Sequence, residues 1–68
     1  MKRFHVVSKV PGADASVYLA RRRDGFVFDS EDHKASFLTQ EDAGMALSAW
    51  RRKFQQPGRV AEVIEVEV

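Results

Sequence analysis

The chain has 68 residues, no cysteine and a formal net charge of +1 at pH 7. That length holds one domain, residues 1–68, near the lower limit for a core without staples. The missing cysteine excludes disulfides and thiolate metal sites and points to a reducing, cytoplasmic setting, while the near-balanced charge excludes an acidic nucleic-acid mimic and lacks the basic excess of most free-standing nucleic-acid binders.

From Arg3 to Val10 the residues alternate, with Phe4, Val6 and Val10 on one side and Arg3, His5, Val7 and Lys9 on the other. Period-two alternation rich in β-branched residues predicts a half-buried strand. Pro11 to Ala15 (PGADA) then reads as a turn. The next stretch, VYLARRRDGFVFD, carries three arginines just before an aromatic pair. Asp24-Gly25 is a hairpin signal, because a tight turn of mirror-image type needs positive φ at both centres. Such a turn sets Arg23 opposite Phe26 and Arg21 opposite Phe28. One face then holds Val17, Leu19, Arg21, Arg23, Phe26 and Phe28; the other holds Tyr18, Ala20, Arg22, Val27 and Asp29. The root of the hairpin is apolar and its tip is basic.

Ser30 to Lys34 is a polar connector, and Ala35 to Leu38 can add a very short strand. Thr39 is a good N-cap, and Glu41 and Asp42 place negative charge at the positive end of the helix dipole. Ala43, Ala46, Leu47, Trp50 and Phe54 then form a single apolar stripe, with Trp50 and Phe54 the largest groups offered to a core. Arg51, Arg52 and Lys53 fill the last turn, where cations suit the dipole, and Pro57-Gly58 stops the helix. Gly44 is an interior weak point unless close packing needs it.

In the tail, Val60, Ile64, Val66 and Val68 share one face, Glu65 and Glu67 lie opposite, and Glu62 falls among the apolar set. A bulge near Val63 or an exposed strand start would reconcile this. One amphipathic helix has one face to bury, and an antiparallel sheet offers one face to cover it. The predicted fold is therefore α+β and two-layered: an antiparallel sheet of three to five strands, with a helix over about residues 40–55 packed across one face. No apolar run approaches the ~18 residues of a membrane span, and no secretory signal is visible.

Catalytic chemistry finds no foothold. His5 and His33 show no spacing that suggests a shared metal, and the serines stand in no nucleophile elbow. Asp29, Glu31 and Asp32 lack calcium-loop spacing, and no glycine-rich phosphate loop occurs. The chain is read as a non-enzyme, with no cofactor, no metal and no catalytic set. Two binding readings compete. Phe26 and Phe28 beside Arg21 and Arg23 have the make-up of a single-stranded nucleic-acid module. Yet a domain this small needs those aromatics in its core, and Glu62, Glu65 and Glu67 could sit near the basic hairpin as ordinary cross-strand partners. The favoured reading is a protein partner met by Arg21, Arg22, Arg23, Arg51 and Arg52 with Tyr18, since interface hot spots are rich in arginine and aromatics. A third reading is a homo-oligomeric or scaffold subunit, with a homodimer forming through the C-terminal edge strand.

The run VYLARRRDGFVF, continued by KASFLTQEDAGMAL and VAEVIEV, resembles small phage, prophage and plasmid accessory proteins. In these a hairpin leads through an A-x-F-x-T-x-E-x-A pattern into one helix and a closing strand. The matching residues are Ala35, Phe37, Thr39 and Ala43, with Glu41 or Asp42 supplying the acid. Arginine outnumbers lysine seven to four and asparagine is absent, a bias that fits a high-GC bacterial genome or its phages. The resemblance implies a fold and, through the anti-CRISPR inhibitors among these proteins, a role in occluding a host protein complex. It assigns no site residue, because these groups share no site motif.

Overall fold

A computed structural model describes residues 1–9, 16–55 and 59–68. Along the chain run β1 (Lys2–Lys9), β2 (Ser16–Arg22), β3 (Gly25–Asp29), a single 3₁₀ turn (Glu31–His33), α1 (Gln40–Phe54) and β4 (Ala61–Glu67). The strands form one antiparallel sheet in the order β3-β2-β1-β4, and α1 lies across one face of it. This is the two-layer α+β arrangement that one helical stripe and one sheet face require. Val10 and the expected Pro11–Ala15 turn lie outside the described residues.

β1 is the hub of the sheet. Its run from His5 to Ser8 is buried, because strands flank it on both sides. Its ladder with β4 is continuous from Lys2–Glu67 to Ser8–Ala61, whereas its ladder with β2 covers only Val7 to Lys9. Beyond that point β2 has moved away, and Phe37 takes its place. The Phe4 and Phe37 backbones exchange two hydrogen bonds, both 2.9 Å, and the Ala35 N–H donates to the Leu19 carbonyl at 2.9 Å. The short strand expected at Ala35–Leu38 is thus one bridge. Through it the connector delivers the Phe37 ring into the core beside Val6, Leu19, Ala43, Ala46, Leu47 and Trp50.

The hairpin closes one residue earlier on each strand than the sequence predicts. Arg22 pairs with Gly25, Arg21 with Phe26 and Leu19 with Phe28, so Arg23 and Asp24 form the turn. Among the described residues only Gln55 and Gly25 have positive φ. The two turn residues therefore avoid the left-handed region, and Gly25, at φ 135°, absorbs the compensating bend. The slip leaves the paired side chains on their expected faces, because a shift of one residue on both strands preserves the alternation, but it moves Arg23 off the face shared with Phe26 and Phe28 and into the turn.

Helix α1 begins where predicted: the Asp42 N–H donates to Thr39 Oγ1 at 3.0 Å. Ala43, Ala46, Leu47 and Trp50 are buried, while Phe54, at the end of the stripe, stays partly exposed and stacks on Trp50. The helix ends at Gln55 in the left-handed conformation, its N–H donating to the Arg51 carbonyl; Pro57-Gly58 lies outside the described residues. Of the two expectations for Glu62, the bulge near Val63 is absent, since the β1–β4 ladder runs without interruption, and the start of the strand is exposed at Val60 and Glu62. Glu62 lies with Ile64 and Val66 on the face away from the helix, where a carboxylate stays in water and no irregularity is needed.

The two glycines in ordered elements respond oppositely to alanine. Nothing lies within 4 Å of a Cβ added at Gly44, so Gly44→Ala is expected to raise stability by roughly 0.5–1 kcal/mol. Gly25 has equal space but a φ that side chains resist, so Gly25→Ala is expected to lose about 1–3 kcal/mol. Urea unfolding followed by Trp50 fluorescence measures both, and equal effects at the two sites would contradict the assignment.

Candidate functional site

The sheet's two faces sort the hairpin side chains. On the helix side, Phe28 meets Trp50 edge-on at 4.8 Å between ring centroids, and Phe26 lies 6.1 Å from Phe37. Both phenylalanines are half-buried and packed against the core. Arg21, on the same face, holds its guanidinium over the rings of Phe26 and Phe37, at 5.8 and 5.9 Å. Each such cation–ring contact contributes about 0.5–1 kcal/mol at an exposed position.

The opposite face carries Tyr18, Ala20, Arg22, Val27 and Asp29. Arg22 pairs with Asp29 through Nη2 and Oδ2. Since Arg22 is level with Gly25 and Asp29 with Tyr18, the arginine must run back along the face past the Ala20–Val27 pair. Ala20 is fully buried on this face, opposite the side that α1 covers. Tyr18 lies under the Lys34 ammonium, 5.4 Å from its ring, and His5 is held by a 2.8 Å hydrogen bond between Nδ1 and the Ala35 carbonyl. That bond fixes Nδ1 as the donor, so a neutral His5 has its proton there. Tyr18 is therefore separated from the hairpin tip.

Arg23 stands in the turn, exposed. The helix end reaches it: Lys53 Nζ donates to the Asp24 carbonyl at 3.3 Å, which brings the last turn of α1, with exposed Arg51 and Arg52, beside the hairpin turn. The two basic clusters of the sequence thus meet at one end of the molecule. The acids expected beside them are elsewhere. β4 occupies the far edge of the sheet, where Glu65 pairs with Lys2 at 3.8 Å and Glu67 with the N-terminal amine at 3.1 Å. Cross-strand neutralisation of the hairpin by Glu62, Glu65 or Glu67 does not occur, because β1 stands between the hairpin and β4.

Beside the basic end, Arg21, Phe26, Phe37, Leu38, Asp42 and Met45 line a shallow groove of about 400 Å³. Leu38 and Met45 are each 65% exposed, which makes this rim the most accessible apolar surface near the hairpin. Among the described residues there is no cluster of three or more potential metal ligands, and no helix is long and apolar enough to cross a membrane. Compared with models of protein families, with curated proteins and with solved structures, the chain matches none.

Arg59 was not singled out by the sequence, where it reads as the residue after a helix stop. Its guanidinium lies over Phe28 at 5.1 Å and Trp50 at 5.7 Å, and Nη1 donates to Ser8 Oγ at 3.2 Å. Ser8 in turn donates to the Val60 carbonyl at 2.8 Å, so a fully buried hydroxyl is satisfied twice. No local pattern could have revealed these contacts, since Ser8, Phe28 and Trp50 are distant from Arg59 in sequence.

Asp29 is the electrostatic anchor of the open face. The Ser30 N–H, donating to Oδ1 at 2.7 Å, holds its carboxyl below the usual value of 3.8, helped by His33 and Arg22. A carboxyl whose pKa is lowered on folding stabilises fully above its unfolded value and loses that contribution as pH falls through the folded one. The Tm difference between wild type and Asp29→Asn is therefore expected to be present at neutral pH and to close below pH 3.8. A difference that persists unchanged in stronger acid would show that charge is not the cause.

Proposed function

We propose that this protein is a non-enzymatic binding module of the bacterial or phage cytoplasm that occupies an acidic surface on a protein partner. This reading follows the resemblance noted in the sequence to small phage and plasmid accessory proteins, some of which, the anti-CRISPR inhibitors among them, occlude a host protein complex. The observation that carries the reading is the convergence of Arg23, Arg51 and Arg52 at one end, beside an apolar groove rimmed by Leu38 and Met45. Guanidinium groups make bidentate contacts to carboxylates, and an apolar rim adds the desolvated contact from which interface affinity mostly comes.

The packing of Phe26 and Phe28 favours this reading over single-stranded nucleic acid. Base stacking needs ring faces turned to solvent, whereas Phe28 has Trp50 and Arg59 against it and Phe26 has Phe37 and Arg21. The cytoplasmic setting is supported by the absence of cysteine.

The predicted contact residues divide by their existing work. Arg21 and Arg22 are engaged with rings and with Asp29, so reversing them disturbs the hairpin itself. The combined variant Arg23→Glu, Arg51→Glu and Arg52→Glu leaves those contacts alone. A partner isolated from host lysate and then purified is expected to bind wild type and to lose at least tenfold in affinity for the triple variant, with far-UV CD and Tm nearly unchanged. Mixed-sequence single-stranded oligonucleotides are expected not to bind at low salt. Oligonucleotide binding that falls steeply with salt would instead establish the nucleic-acid reading.

A further inference from the structure

We propose that two copies of this chain join along β4, forming one continuous eight-stranded sheet about a two-fold axis at Ile64. β4 is an edge strand with β1 on one side only. The Val68 N–H donates to the Met1 carbonyl at 2.8 Å, which sets the phase of the ladder. In an antiparallel ladder the backbone groups alternate in direction, so Ala61, Val63, Glu65 and Glu67 turn their N–H and C=O away from β1. Among the described residues nothing bonds them. Such a row is a template for another strand unless its side chains forbid pairing.

The side chains of β4 are self-complementary in one register. A strand running Ala61–Glu67 overlaps fully with an antiparallel copy only when Ile64 lies on the axis. Ile64 then faces the partner's Ile64, Val63 faces the partner's Glu65, and Ala61 faces the partner's Glu67. Just beyond the strand ends, Val60 faces the partner's Val68. These two valines are 76% and 75% exposed in the single chain and are otherwise unexplained. The outward backbone groups meet in matched pairs, giving about eight hydrogen bonds across the seam. Sliding the partner two residues toward the C-terminus sets Glu65 directly against the partner's Glu65, a like-charge pair that destabilises a sheet. Sliding it the other way leaves Val68 past the end of the partner strand. In the central register the two Glu65 carboxylates are only diagonal neighbours, and each already has Lys2 beside it at 3.8 Å.

Charge supports the same geometry. Glu62 has no ion pair among the described residues, and the Arg3 guanidinium meets only the Lys2 carbonyl there. Arg3 stands beside Val66 in the β1–β4 ladder, and Val66 faces the partner's Glu62 in this register. Each Arg3 therefore reaches across one valine to the partner's Glu62, twice by symmetry. The axis stands perpendicular to the sheet, so both helices remain on one side and the two hairpins project from opposite edges. Seven strand spacings of about 4.8 Å place those edges roughly 34 Å apart.

Light scattering and sedimentation equilibrium over a concentration series test the proposal. Wild type is expected to reach twice the single-chain mass of 7.7 kDa. Glu65→Pro removes an outward N–H with an exposed side chain, so it should give a monomer with unchanged CD and Trp50 fluorescence. Arg3→Glu and Glu62→Arg are each expected to weaken the dimer at least about threefold, and their combination to restore it. Should Glu65→Pro fail to fold, the charge series decides alone. A single-chain mass at every concentration, or a dimer that neither Glu65→Pro nor the charge reversals weaken, overturns the proposal.

Discussion

The perpendicular contact between the Phe28 and Trp50 rings ties the β2–β3 hairpin to the helix, and most of the molecule's organisation depends on it. With rings 4.8 Å apart at near-perpendicular orientation, it has the geometry that ring quadrupoles favour. Phe54 stacks on Trp50, and Arg59 closes over Phe28 and Trp50 together. A domain of this size has a total stability of about 3–10 kcal/mol. Truncating a buried tryptophan costs about 3–5 kcal/mol, so the loss of this one side chain is comparable with the whole. Once these aromatics are committed to the core, arginine and lysine are what the hairpin and helix end present to solvent.

That commitment polarises the molecule. Sheet order puts the hairpin at one edge and β4 at the other, so the β4 glutamates lie across the sheet from Arg23, Arg51 and Arg52 and pair instead with Lys2 and the N-terminal amine. A formal charge of +1 conceals this separation. One edge has Arg23, Arg51 and Arg52 without the acids that the sequence offered as their neighbours; the other has alternating glutamate and valine on an open backbone. In our reading the first edge meets a partner and the second meets another copy. A two-fold assembly would then present two basic ends at once, and a partner with two acidic sites at matching distance would gain avidity without any new contact.

Much of the fold was legible in the sequence, because it follows from local periodicity. The strand alternation, the Thr39 cap and the Ala43–Trp50 stripe each reappear with their predicted partners or faces. The turn at Asp24-Gly25 was located but misregistered: one glycine with positive φ closes the hairpin, whereas the mirror-image turn asks for two such residues. The glutamates were misplaced for a different reason. Which strand lies beside which is a tertiary choice, and no spacing in the chain says that β1 will stand between the hairpin and β4. The site was legible as a set of residue types but not as an arrangement. Arg21, Arg22 and Tyr18 carry internal contacts that sequence could not foresee, while Lys53 brings Arg51 and Arg52 to Arg23 through a backbone carbonyl. Arg59 escaped notice because its contacts with Ser8, Phe28 and Trp50 are long-range.

The most direct test of the inward aromatic seam is a proton NOE experiment on the free protein in solution. Cross-peaks between the Phe28 ring and the Trp50 indole are expected, together with ring-current shifts of the protons at that contact. Phe28 resonances at unperturbed positions, without contact to Trp50 and accessible to a soluble paramagnetic probe, would contradict the account.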